Sequence, residues 1–128
     1  MRILIDTHVF LWIVTNDLRL PQSIRAAFLQ PSNTFYLSVV SLWEVATKYQ
    51  LGKLPLPMSP ELYVPEMRRR HVIANLDLDE GSVKRLSSLP MLHKDPFDRM
   101  LICQALEHNL TMATVDDKVR AYPIPTLP

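Results

Sequence analysis

Arg2-Ile3-Leu4-Ile5-Asp6-Thr7-His8 opens the chain, and Thr111-Met112-Ala113-Thr114-Val115-Asp116 repeats its logic near the other end. Ile3 to Ile5 is a short uninterrupted apolar run, the pattern of a strand buried on both faces in a parallel sheet. Each run stops at an acid. Downstream of the first, Thr7 to Val14 reads as a helix that is apolar nearly all round, so it must be buried or covered by a partner. Pro21 stands at the first position of a helix reaching about Leu29. Phe35-Tyr36-Leu37 is the next strand, and Ser41-Leu42-Trp43-Glu44 opens a helix with a stripe of Leu42, Val45, Ala46 and Tyr49 that Gly52 ends.

Pro55, Pro57 and Pro60 mark a loop, and a helix from Pro60 to Arg70 follows it. Val72 to Leu76 reads as a strand and Glu80 to Ser88 as a helix. Asp95 caps a helix that Pro96 begins and that runs to His108. Ile124 to Thr126 reads as an edge strand, the place where proline is tolerated. Strands alternating with helices indicate an α/β fold around a parallel sheet, in one domain spanning 1–128.

Composition narrows the function. Hydrophobic residues are 48% and charged residues 21%, as in an ordinary globular chain. No apolar run approaches the roughly 20 residues that span a bilayer, and an acid at position 6 comes too early for a signal peptide. The single cysteine, Cys103, lies among Met100, Leu101, Ile102 and Ala105 and reads as a core thiol, which implies cytoplasmic residence. With only Gly52 and Gly81, neither a Walker loop nor a G-x-G-x-x-G loop can be built. His8, His71, His93 and His108 lack zinc-site spacing, and no second cysteine exists.

What remains is a set of acids: Asp6, Glu44, Asp98 and Asp116. In open α/β sheets ligands bind beyond the carboxyl ends of the strands, the rim these residues would share. Gathered carboxylates repel, so they suit a divalent cation, and Mg²⁺ and Mn²⁺ prefer oxygen ligands. Each acid also has a local structural reading. Asp6 can cap the helix at Thr7, and Asp116 or Asp117 can cap a short helix toward Tyr122. Glu44 lies opposite the apolar stripe, completes a capping box with Ser41 and pairs with Lys48. Asp98 shares a face with Ile102 and Ala105; burying it unpaired costs several kcal/mol, of which the helix dipole returns about 1 kcal/mol. The run Arg68-Arg69-Arg70-His71 is either a phosphate-contacting cluster or a solvated helix end. Net charge is only +1, so polyanion binding must rest on local cations.

Taken in order, Leu4-Ile5-Asp6-Thr7-His8, Ser38-Val39-Val40-Ser41-Leu42-Trp43-Glu44, His93-Lys94-Asp95-Pro96-Phe97-Asp98-Arg99 and Thr114-Val115-Asp116 resemble the motifs of PIN-domain nucleases. The resemblance is strongest to the small VapC-like toxins of toxin–antitoxin pairs. It implies a three-layer α/β/α sandwich with a central parallel sheet, and metal binding by Asp6, Glu44, Asp98 and Asp116. Ser41, Asp95 and Thr114 fall in supporting places. The implied reaction is hydrolysis of RNA phosphodiesters with Mg²⁺ or Mn²⁺, which would bind the scissile phosphate and stabilise charge on the attacking and leaving oxygens. Arg68, Arg69, Arg70, Lys94 and Arg99 are the candidate RNA-contacting cations, and an antitoxin and a homodimer are the implied partners. Two other readings compete. An aspartate-dependent phosphatase expects D-x-D where this chain has Asp6-Thr7-His8, and a non-catalytic interaction module would not need the intact acidic set.

Overall fold

Alternation of side chains along the strands decides the architecture. The computed structural model describes residues 1–128. β1 (Arg2–Ile5) sits at the centre of a five-stranded sheet of order β3-β2-β1-β4-β5, with β2 at Thr34–Ser38, β3 at Ala74–Leu76, β4 at Thr111–Ala113 and β5 at Thr126–Leu127. Every pairing is parallel. Ile3 and Ile5 point into one core with Phe35, Leu37 and Ala113, while Leu4 points into a second with Met112. A period of two sends neighbours to opposite faces, so a continuous apolar run requires cover on both.

Helices supply that cover. α1 (Thr7–Thr15), α2 (Gln22–Phe28) and α4 (Pro60–Arg70) bury Phe10, Ile24 and Val64 in the first core. α6 (Pro96–His108) and α7 (Asp117–Arg120) bury Leu101, Ile102 and Val119 in the second. α3 (Val39–Gln50) contributes Val45 to one and Val40 to the other. The remaining helix, α5 (Glu80–Lys84), continues as a 3₁₀ turn through Ser87. The three-layer α/β/α sandwich expected from the sequence is what forms. Cys103 is fully buried, and no helix is long and apolar enough to cross a membrane.

Several boundaries differ from the sequence reading. α3 begins at Val39, directly after β2, because the Ser38 hydroxyl accepts the Val40 amide at 3.0 Å and caps the helix. Ser41 is therefore inside the helix and the capping box with Glu44 does not form. Its buried face is Val40, Ser41, Glu44 and Val45, so Glu44 points inward and Tyr49 outward. Pro21 occupies the cap position of α2 rather than its first turn. α5 is shorter than expected, and β4 stops at Ala113. β5 lies one to two residues later than predicted, at the sheet edge as its flanking prolines require. β3 starts at Ala74 because Val72 adopts a left-handed φ of 55° and ends α4: its amide bonds Arg69 O at 3.2 Å and that of Ile73 bonds Arg68 O at 3.0 Å. Asn16 and Asn109 end α1 and α6 in the same left-handed conformation.

α1 is also less uniformly covered than its composition suggests. Val9, Phe10 and Ile13 are buried, but His8 is exposed. Leu11 and Trp12 line a cavity of about 460 Å³ with Leu54 to Pro57, and the Arg19 guanidinium lies 5.2 Å from the Trp12 ring.

Candidate active site

After β1 the chain crosses to β2 and β3 on one side, then returns to place β4 on the other. The crevice beyond the carboxyl ends of β1 and β4 is thus the topological switch point, where ligands bind in such sheets. Asp6 follows β1 and Asp116 lies three residues past β4. α3 leaves the end of β2 and carries Glu44 inward, and the first turn of α6 brings Asp98.

Capping and site geometry coexist, because a cap occupies a single carboxylate oxygen. Asp6 Oδ1 accepts the Val9 amide at 2.8 Å, and Asp116 Oδ1 accepts that of Lys118 at 2.9 Å. The cap of α7 is therefore Asp116, while the Asp117 side chain is solvent-exposed and paired with Arg120. Asp95 Oδ1 caps α6 through the amides of Phe97 and Asp98, at 2.9 and 3.0 Å. Thr114 is fully buried, and its Oγ1 accepts the Asp116 amide at 3.1 Å.

Glu44 is only 2% exposed. The Thr7 hydroxyl lies 2.7 Å from Glu44 Oε1 and 3.0 Å from Ser41 Oγ. A hydroxyl has one proton, and the carboxylate is the stronger acceptor, so Thr7 donates to Glu44 and can accept from Ser41. Lys48 Nζ bonds the other oxygen, Oε2. The i, i+4 pair read from sequence exists, but it points into the site rather than out to solvent.

The electrostatics record how closely the acids gather. Burial, then the carboxylates of Asp95, Glu44, Asp6 and Asp116, push the Asp98 carboxyl up to about 7. Burial also raises Asp6, against the opposing hydrogen bonds of Thr114 and Val9. A set made only of carboxylates in mutual repulsion fits a hard divalent cation. The side chains do not form a finished cage: no group of three or more His, Cys, Asp or Glu is arranged to hold a metal ion. Glu44 is occupied by Thr7 and Lys48, and Asp6 and Asp116 each keep one oxygen outside the capping bond.

Most of the proposed RNA-contacting cations lie elsewhere. Arg68, Arg69 and Arg70 form the last turn of α4, which feeds the start of β3 and so sits at the opposite edge of the sheet from the acids. Arg69 and Arg70 are paired with Glu66 and Arg68 bonds Asn75, leaving the solvated helix end as the better account. Arg99 is 7% exposed, its Nη1 held by Pro90 O at 2.8 Å and Tyr122 Oη at 3.0 Å, so it is not a surface cation. Lys94 is exposed. Lys48, read from the sequence only as the partner of Glu44, and Lys53, which the sequence did not single out, line a cavity of about 260 Å³ with Thr7, His8 and Glu44. His93 Nε2 lies 3.4 Å from Asp98 Oδ2 and was likewise missed. Thr7 carried a signal, its place next to Asp6, and His93 another, its place at the head of the segment that ends in Asp98-Arg99, whereas nothing local marks Lys53.

A sequence model of the PIN domain matches residues 3–125. Among curated proteins the chain is similar to Ribonuclease VapC16 of Mycobacterium tuberculosis, 38% identical over 68 residues, covering 52% of this chain and 48% of that protein. The match thus spans about half the length of the relative. Among solved structures the chain superposes on VapBC2 from Rickettsia felis bound to a promoter DNA fragment, with TM-score 0.72 and 16% identity over the whole of both chains. DNA-bound VapBC from Salmonella typhimurium gives 0.68 and 19%, covering 98% of this chain and 96% of that one. At such identities the likeness establishes the fold. The family model reaches almost end to end across the four acidic motifs, and on that ground the chain belongs to the PIN-domain family.

Proposed function

We propose that this chain is a metal-dependent endoribonuclease that hydrolyses RNA phosphodiester bonds, acting as the toxin of a toxin–antitoxin pair. The observation that supports this reading is the gathering of Asp6, Glu44 and Asp116 around Asp98 closely enough for each to raise it. Asp6, Asp98, Asp116 and Glu44 are the proposed ligands of Mg²⁺ or Mn²⁺. When bound, the cation supplies Lewis-acid polarisation of the phosphate and activation of water. Thr7 and Ser41 orient Glu44, Thr114 orients Asp6 and Asp116, and Asp95 holds the turn that presents Asp98. Lys53 and Lys94, with Lys48 beside Glu44, are the proposed phosphate contacts. A cognate antitoxin, a homodimer and cytoplasmic residence belong to the same proposal, which the similarity to Ribonuclease VapC16 supports.

The purified chain is incubated with total RNA in Mg²⁺, in Mn²⁺ and in chelator, beside Asp98→Asn, and the cut ends are mapped. Discrete ends that need metal and vanish in the variant are expected. Intact RNA under every metal condition would instead favour a non-catalytic module of the same fold.

A further inference from the structure

His93 is not among the acids, yet its side chain is 7% exposed and its Nε2 is buried without a hydrogen-bond partner. An orphaned buried polar atom calls for a reason. The nearest acid to it is Asp98, with Oδ2 at 3.4 Å, just beyond an ordinary hydrogen bond. The other ring nitrogen, Nδ1, lies 2.9 Å from the Tyr122 hydroxyl.

That hydroxyl decides which nitrogen carries the proton. It receives the Leu92 amide at 3.1 Å, the His93 amide at 3.2 Å and Arg99 Nη1 at 3.0 Å. Three donors use up its lone pairs, so its own proton needs an acceptor, and among these neighbours only His93 Nδ1 can be one. Nδ1 therefore accepts and Nε2 carries hydrogen; in the charged ring Nε2 carries hydrogen as well. Arg99 is itself held by Pro90 O at 2.8 Å, so the hydroxyl is pinned from the far side.

We propose that His93 is a positioning residue for Asp98: its Nε2–H, aimed by the Tyr122 hydroxyl and behind it Arg99, bonds Oδ2 and turns the other carboxylate oxygen toward the divalent cation. The proposal rests on Asp98 being a metal ligand. Ligating carboxylates are commonly held by a hydrogen bond of this kind, and its loss typically lowers metal affinity 10–100-fold. It also accounts for the burial of Arg99, whose charge serves the Tyr122–His93 chain rather than the substrate.

Two amide variants separate the role from simple packing. Gln places its amide near the ring Nε2 position, whereas Asn places its amide near Nδ1 and leaves the Asp98 side without a donor. Mn²⁺ affinity is measured on the full chain by the electron paramagnetic resonance signal of free Mn²⁺, together with Tm in chelator. His93→Asn and His93→Ala are expected to weaken Mn²⁺ binding at least tenfold, and His93→Gln to restore it to within about threefold of wild type. If His93→Asn binds Mn²⁺ like wild type while Asp98→Asn does not, His93 is no positioning residue and the metal reading stands. Equal binding by Asp98→Asn and wild type would sink the metal reading itself. A Tm loss shared by Gln and Asn, with unchanged Mn²⁺ affinity in both, would show a structural role only and overturn the proposal.

Discussion

The Thr7 hydroxyl, in the first residue of α1, donates to Glu44 Oε1 near the middle of α3 across 2.7 Å. This bond joins the helix that begins directly after Asp6 to the helix that delivers Glu44, inside a space that solvent barely reaches.

Replacing Thr7 by Val keeps the shape and removes that donor. A buried group left short of a hydrogen bond costs about 1–3 kcal/mol, so Tm is expected to fall by about 5 °C or more. RNA cleavage should drop roughly tenfold, since a tenfold change corresponds to 1.4 kcal/mol in the barrier. Thr7→Ser retains the hydroxyl and should stay near wild type. Thermal melts of both variants decide the matter, and an unchanged Tm for Thr7→Val would remove the bond from the account.

Asp98 contributes a falling component to the stability of the metal-free protein as pH rises, read as the difference between wild type and Asp98→Asn. Its folded value of about 7 lies above the ordinary 3.8, so between these pH values the native state holds more proton than the unfolded chain. That component therefore falls as pH rises from about 4 to about 7 and levels off above. Asp98→Asn removes the group that must ionise and should raise the metal-free Tm at pH 7 by about 4 °C, the shift that roughly 1 kcal/mol produces. It should abolish cleavage and blunt stabilisation by Mn²⁺, which acts by binding the folded state. Melting curves of wild type and Asp98→Asn from pH 4 to 8, with Mn²⁺ and with chelator, test the sign; a metal-free Tm gap between the two that does not widen in favour of Asp98→Asn as pH rises would contradict it.

Val72 is a β-branched residue at φ 55°, 89% exposed, where a left-handed conformation costs roughly 1–2 kcal/mol. Val72→Gly relieves that strain, and a looser unfolded chain offsets part of the gain. A net rise of about 0.5–1 kcal/mol is expected in urea denaturation, with cleavage unchanged. A lower midpoint would mean that the Val72 side chain makes a stabilising contact.

The cations divide by position. Changing Arg68, Arg69 and Arg70 together to Ala should leave RNA affinity and its salt dependence as they are, because α4 ends at the opposite edge of the sheet. Lys53→Ala, beside Glu44, should weaken binding and reduce the slope of log affinity against log salt by about 1. Titrations at several salt concentrations on an Asp98→Asn background measure both, and a slope lost with the arginines instead would relocate the RNA path.

The order of elements and the parallel sheet were legible in the sequence because each depends on local pattern, whereas the four acids, each with a local structural reading of its own, were drawn together as a set by the resemblance. An apolar run closed by an acid is a strand delivering a side chain to the sheet edge, and Asp95-Pro96 marks a helix start wherever it lies. Glu44 shows the limit. Its inward direction depends on which face of α3 is buried, Val40, Ser41, Glu44 and Val45 rather than the stripe of Leu42, Val45, Ala46 and Tyr49, and that is settled by what packs against the helix. Residues acting through distant partners carried no local mark of them. His93 acquires its aim from Tyr122, 29 positions away, and the buried Arg99 finds its partners in Pro90 O and the Tyr122 hydroxyl. Strand and helix identity follow from neighbours in the chain; the direction of a charged side chain is settled by what packs against it, which only the tertiary structure brings together.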